Sequence, residues 1–199
     1  MGGDERIRLF CALQLPAETV EAIVAWQSEH LQREHLQREH LQREHLHGCR
    51  VVPAENLHIT LVFLGSRPLA EVPAIAAELQ EAARASEPAR FELRRYRETA
   101  RVGMLTLEEP GVSPAATLAY DLEQRLTQLG LTLRVHRPWL PHITVTRFRE
   151  RAGLAPPLPN IRSIHVVRSA LYRSSLGRGS AATSGARYDA LETAALGGR

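Results

Sequence analysis

Two tripeptides in the chain carry the same chemistry: Leu57-His58-Ile59-Thr60-Leu61 and Pro141-His142-Ile143-Thr144-Val145. Each lies in a strand-like run, where residues i and i+2 face the same way. Each imidazole therefore stands beside a threonine hydroxyl on one face, while Ile59 and Leu61, or Ile143 and Val145, anchor the other. One such tripeptide is an ordinary half-buried polar pair. Two copies, in corresponding places of two similar half-chains, mean more. Halves related by a pseudo-twofold axis would bring both imidazoles and both hydroxyls to a single cleft. Two imidazoles with unperturbed pKa near ~6.5 can divide acid and base roles near neutral pH.

The other histidines form no such pattern. His136 and His165 lack a partner motif and read as structural or exposed. Five of the nine histidines fall in a segment from Glu29 to Leu46 and just beyond, where Glu-His-Leu-Gln-Arg repeats with a period of five. Glu29 with Arg33, Glu34 with Arg38 and Glu39 with Arg43 are i,i+4 pairs in the favourable orientation, so a helix is locally supported. Five residues turn a helix about 140° past a full circle, however, so Leu31, Leu36, Leu41 and Leu46 share no face. The segment reads as an inserted, largely solvated helical extension. Its histidines His30, His35, His40 and His45 diverge, and helical metal ligands want i,i+3 or i,i+4 spacing. His45, His47 and Cys49 alternate in a better pattern, but an expansion without chemistry is the expectation, and no metal is assigned. Cys11 and Cys49 sit in no CxxC motif and read as small buried apolar residues or idle thiols.

The elements that must position the two motifs can be read from periodicity. Residues 6–15 alternate as a strand with one buried face, and Pro16 starts a helix running to about Trp26. Arg50 to Val52 and Leu57 to Leu64 read as strands around a Pro53 to Asn56 turn, closed by Gly65 to Pro68. A helix follows from about Leu69 to Ala85. The order then repeats, with strands near Phe91 to Tyr96 and Val102 to Leu107. Next comes a helix introduced by Ser113 and Pro114, with a stripe of Leu118, Leu122, Leu126 and Leu129, stopped by Gly130. Further strands are expected near Leu131 to Val135, Leu140 to Phe148, Ile161 to Leu171 and Arg187 to Leu191. Many connections are too short for parallel crossovers, so the fold class is α+β with mostly antiparallel sheet.

A chain of 199 residues, 44% hydrophobic and 24% charged, fits one compact domain or two small lobes sharing a core. No stretch approaches the roughly 18 consecutive apolar residues of a membrane span, and the start lacks the order of a secretory signal. A cytoplasmic protein is the expectation. The net charge is only +3, but there is no lysine, so all 25 basic residues are arginine. From Arg147 to the end stand nine arginines against Glu150, Asp189 and Glu192, a positive final quarter suited to a phosphate ester or nucleic acid.

Beyond the tripeptides, Arg8-Leu-Phe-Cys-Ala-Leu-Gln-Leu-Pro16, Glu55-Asn-Leu-His-Ile-Thr-Leu-Val-Phe-Leu-Gly65, Pro141-His-Ile-Thr-Val-Thr-Arg147, and Leu171-Tyr-Arg-Ser-Ser with Arg187-Tyr188 are spread along the chain from residue 8 to residue 188. Together they resemble the RNA 2′,3′-cyclic phosphodiesterase family of the two-histidine phosphoesterase superfamily. The pentapeptide expansion and the turn from Gly177 to Gly185 depart from that pattern without removing a motif residue. The resemblance implies a single two-lobed α+β domain over residues 1–199, pseudo-twofold, with mostly antiparallel sheets, helices on the outer faces and a central cleft. It implies a monomeric hydrolase that opens 2′,3′-cyclic phosphates on RNA or oligonucleotide ends to a 2′-phosphate, without cofactor or metal. His142 would be the base that activates water and His58 the acid that protonates the leaving 3′ oxygen, with Thr60 and Thr144 bonding the non-bridging oxygens. Arg147 matches an arginine of the family's second block and would contact phosphate or base. Its strand parity is opposite to that of His142, so it reaches the cleft only where the strand bends or ends. Phe10, on the polar-side parity of the first strand, is a candidate base-stacking surface or, equally, a core residue. Ligation of 2′-5′ RNA junctions, the reverse of the same chemistry, and a non-catalytic nucleotide- or RNA-binding module are the alternatives.

Overall fold

A computed structural model describes residues 5–32, 49–131, 138–176 and 186–197. In chain order it contains β1 (Arg6–Gln14), α1 (Ala17–Trp26) continued by a π-helical turn (Gln27–Gln32), β2 (Arg50–Val51), β3 (His58–Pro68), α2 (Val72–Ala85), β4 (Ala89–Glu98) and β5 (Val102–Glu108). Then follow α3 (Pro114–Gln128), β6 (His142–Arg147), β7 (Ile164–Val166), β8 (Arg168–Leu176) and β9 (Ala186–Ala195). The strands run in the order β7-β4-β5-β6-β3-β1-β8-β9, with β2 on β6, and the pairings among the described residues are antiparallel.

The order is symmetric about its centre. β1, α1 and β3 form a strand-helix-strand unit whose strands pair, and β5, α3 and β6 form another. β8 and β9 extend the first, β4 and β7 the second, and the halves meet where Ile59 of β3 pairs with Ile143 of β6. Helices cover the convex side. Leu9, Leu13, Ile59, Leu105 and Ile143 point there and pack with Ile75 and Leu79 of α2 and Leu118, Leu122 and Leu126 of α3, all at most 2% exposed. Each such burial is worth about 1.5–3 kcal/mol. Helix α3 follows β5 yet packs on β3 of the other half. Conversely α1 follows β1 and reaches across, its Trp26 indole donating to the Pro157 carbonyl (2.7 Å) beside the Tyr96 ring of β4. Each half is thus clamped by the other's helix.

Several boundaries depart from the periodic pattern for local reasons. The run from Ile161 to Leu171 is two strands broken at Val167, β7 pairing with β4 and β8 with β1. Leu69 to Glu71 form a 3-10 turn before α2. Ser113 precedes α3 without a side-chain cap. The Glu109 carboxylate accepts instead from the amides of Ala115 (3.0 Å) and Ala116 (3.1 Å), satisfying the donors a helix start leaves open. The expected strand from Leu131 to Val135 and the repeat beyond Gln32 fall on residues 132–137 and 33–48, outside the described residues.

A bulge occurs at the same place in each motif strand. Ala12 pairs with Thr60 and Cys11 with Val62, leaving Leu61 extra. Met104 pairs with Thr144 and Gly103 with Thr146, leaving Val145 extra. A bulge puts two successive residues on one face and reverses the parity beyond it. Val145 is pinned by its carbonyl, which accepts from the Val52 amide (2.9 Å) and from the buried Gln27 side chain (2.7 Å). Across that bulge a Cβ on Gly103 would overlap the Tyr96 hydroxyl and the Thr146 methyl. Gly103→Ala is expected to lower stability by ~1–3 kcal/mol, read as a lower denaturant midpoint at unchanged slope. A midpoint equal to wild type would mean that the Tyr96 ring yields without cost.

Candidate functional site

The pairing of Ile59 with Ile143 fixes the site. In antiparallel register, the residues one step either side put His58 across from Thr144 and Thr60 across from His142. Ile59 and Ile143 are fully buried, so the flanking residues point to the concave face, where all four are half-buried. The two motifs are thereby brought together around the pseudo-twofold axis.

The two imidazoles are held alike. Nδ1 of His58 donates to the Asn56 carbonyl (2.7 Å), and Nδ1 of His142 donates to the Leu140 carbonyl (2.8 Å), in each case two residues back along the chain. A carbonyl can only accept, so each neutral ring carries its proton on Nδ1 and leaves the Nε2 lone pair for chemistry. The Thr60 hydroxyl donates to Nε2 of His58 (3.1 Å). Trp139 ties the halves together, its indole N–H donating to the Thr60 carbonyl (2.9 Å). Asn56, which supplies the carbonyl for His58, is itself held by its side-chain N–H bond to the Ala186 carbonyl (2.7 Å) at the start of β9.

Burial pushes the His58 imidazole down to about 4. The hydrogen bond to Asn56 opposes this, and the nearby charges of His142 and Arg147 add to it. The unfolded chain takes up a proton near ~6.5 and the folded site near 4, so stability is intact above ~6.5 and falls as the pH drops through that window. Relative to His58→Gln, the wild type should lose on the order of 2 kcal/mol between about pH 6.5 and 4, followed as the difference in unfolding midpoints. Parallel pH profiles for the two proteins would mean that His58 is not desolvated.

The bulges decide which further residues face the cleft. Beyond Val145, parity reverses, so Arg147 returns to the side of His142. Its guanidinium lies 3.4 Å from the Tyr188 hydroxyl and close enough to His58 to act on its charge. The bend required by strict alternation is therefore supplied by the bulge. In β3 the equivalent position is Phe63, which pairs with Phe10 on the concave face and is 67% exposed. The antiparallel strands put Phe63 and Arg147 at opposite ends of the groove. An apolar platform lies at one end and a cation at the other.

Phe10 does not offer a stacking surface in this structure, which corrects that expectation. It is 4% exposed because Tyr172 stacks on it (centroids 5.1 Å), Tyr188 meets it edge-on (4.9 Å) and His58 leans against it (4.9 Å). Its ring supports the imidazole, and the open ring is Phe63. Sequence reasoning assigned no role to Phe63, Asn56, Trp139, Tyr172 or Tyr188. Phe63 was detectable as the residue occupying, in the first motif, the position of Arg147 in the second. His165 is exposed, with Nε2 3.1 Å from the Ser163 hydroxyl, and His136 lies outside the described residues. Among the described residues no three His, Cys, Asp or Glu side chains are arranged to hold a metal, and no helix is long and apolar enough to cross a membrane.

Two tautomerically fixed imidazoles flanked by two hydroxyls across a groove, with an arginine at its rim, have the chemistry to take a phosphoester, and they lie on a pseudo-twofold antiparallel fold. Residues 26–97 match the LigT like Phosphoesterase family. The RNA 2′,3′-cyclic phosphodiesterase of Escherichia coli (strain K12) is 30% identical over 172 residues, covering 86% of this chain and 89% of that protein. Among solved structures, TT0787 of Thermus thermophilus is similar with a TM-score of 0.75 and 31% identity, over 96% of this chain and 99% of that one. E. coli LigT complexed with 3′-AMP is similar with a TM-score of 0.71 and 28% identity, over 96% of this chain and 99% of that one. The chain belongs to the LigT-like phosphoesterases, the family of the RNA 2′,3′-cyclic phosphodiesterases.

Proposed function

We propose that this protein hydrolyses 2′,3′-cyclic phosphate ends of RNA to 2′-phosphates. The observation that carries the proposal is the pair of His-Ile-Thr motifs meeting across β3 and β6, each imidazole locked with Nε2 available. The similarity to a protein named for this reaction and to one crystallised with 3′-AMP supports the substrate class. All four groups come from one chain, so a monomer suffices, and we assign it to the cytoplasm.

In the reaction, water attacks phosphorus opposite the 3′ oxygen, the P–O3′ bond breaks and the phosphate stays on the 2′ oxygen. His142 Nε2 takes the water proton while His58 Nε2 supplies the proton that the 3′ oxygen needs. His58 is neutral before substrate binds, because burial holds its titration near 4. The arriving phosphate anion sets an attraction against the repulsion of Arg147 and favours the protonated ring, so His58 takes its proton from solvent as substrate binds. Thr60 then turns its hydroxyl from His58 to one non-bridging oxygen, and Thr144 donates to the other. Arg147 offsets the phosphate charge, and the base lies on Phe63.

The test is turnover of an oligonucleotide ending in a 2′,3′-cyclic phosphate, in excess EDTA, with 2′ and 3′ products resolved. A 2′-phosphate product formed at undiminished rate in chelator is expected. Tight binding of 2′-AMP with no turnover would identify a binding module instead.

A further inference from the structure

A cavity of about 560 Å³ opens at the end of the groove where β1 stops and β8 begins. It adjoins the histidine site through residues that neighbour His58. Gln14, on its wall, is the cross-strand partner of His58, and Leu57 precedes His58 in the chain. The Tyr172 ring, also on the wall, lies 6.2 Å from the His58 ring. The Gln14 side-chain amide donates to the Tyr172 hydroxyl (3.2 Å), which fixes the wall nearest His58. The volume suits a nucleoside rather than a water-filled crevice.

The charges around it are specific. Arg168, next to Ser169 of the last β1–β8 pair, lines the cavity, and its guanidinium makes no hydrogen bond or ion pair among the described residues. Arg173 and Arg187, by contrast, both close on Asp189. Glu55 and Glu18 also line the cavity, and neither is paired with a cation among the described residues, so the space combines one free guanidinium with carboxylate acceptors. That combination suits a phosphate next to a sugar hydroxyl better than phosphate alone, because the carboxylates would repel a bare anion.

Sugar geometry gives the direction. When the 2′ and 3′ oxygens face the histidines, the base leaves from C1′ and the 5′ carbon from C4′, at opposite ends of the ribose. A base on Phe63 therefore sends the 5′ chain toward the other end of the groove. Phe63 pairs with Phe10 and the cavity begins at Gln14, four residues along β1 and so about 13 Å away, a span that one nucleotide can bridge.

We propose that this cavity is a subsite for the nucleotide immediately upstream of the cyclic-phosphate end, with Arg168 holding the phosphate that joins the two nucleotides and Glu55 accepting from the upstream 2′-hydroxyl. The proposal rests on the hydrolysis proposed above and makes the enzyme selective for chain ends over free cyclic nucleotides.

The experiment compares kcat/KM for a nucleoside 2′,3′-cyclic phosphate and for a dinucleotide ending in the same group. The expected result is a preference of about tenfold or more for the dinucleotide in wild type. Arg168→Ala, and Val167→Trp, which fills the cavity from its exposed rim, should remove most of that preference and leave the mononucleotide within about twofold. Changing the upstream ribose to deoxyribose should lower the dinucleotide value alone. Equal kcat/KM for the two substrates in wild type overturns the subsite while leaving the hydrolysis standing. So does a loss in Arg168→Ala that is the same for both. Failure of wild type to hydrolyse either substrate removes both the subsite and the reaction on which it rests.

Discussion

Replacing either His58 or His142 by alanine should lower kcat/KM for cyclic-phosphate RNA ends by about 10²–10⁴-fold, the range lost when a positioned general acid or base is removed. Both rings are pinned through Nδ1 to a carbonyl two residues upstream, so Nε2 is the working atom in each and the two losses should be comparable. The double substitution should cost little more than either single one, because proton donation and abstraction belong to one displacement and one without the other achieves little. Single-turnover rates of the three variants, together with unfolding midpoints, provide the check. Among the described residues no aromatic ring packs on His142, so His142→Ala is the cleaner variant, whereas His58→Ala also opens a space beside Phe10, Tyr172 and Tyr188. A His142→Ala protein that is folded and fully active would end the two-histidine account.

The sequence carried the two motif strands plainly because residues 57–61 and 141–145 alternate, and their repetition pointed to a shared cleft, whereas the pairing of Ile59 with Ile143 that forms it came only with the structure. The two reversals of face were not visible. A bulge is set by which residue lacks a partner on the neighbouring strand, and nothing in Leu61 or Val145 marks it. Strict alternation therefore put Arg147 on the wrong side and gave Phe63 no role. The same limit applies to Phe10. Parity put it on the concave face, where it is, but two tyrosines from β8 and β9, more than 160 residues later, cover it. The exposed ring and the covered ring exchange roles for reasons that lie in tertiary packing. Break points such as Val167 were hidden likewise, since β7 and β8 read as one strand until each found a different partner.

The doubling of the motif also predicts what the threonines do, and where the symmetry fails. Thr60→Val and Thr144→Val keep shape and remove only the hydroxyl donor, so each should lower kcat by about 10²-fold, as loss of one preorganised donor to a developing oxyanion does, while serine at either position should retain most activity. The two positions differ before substrate binds. Thr60 already donates to His58 Nε2, and the Thr144 hydroxyl has no partner among the described residues. Thr60 must therefore break one hydrogen bond to make another, whereas Thr144 is free to meet the phosphate at once. Thr60→Val should accordingly lose less in substrate binding than Thr144→Val for a similar loss in kcat, a difference read from KM against kcat for the two variants. A Thr144→Val enzyme with wild-type kcat would mean that the second hydroxyl does not reach phosphorus-bound oxygen. The site would then be twofold in its backbone and one-sided in its chemistry.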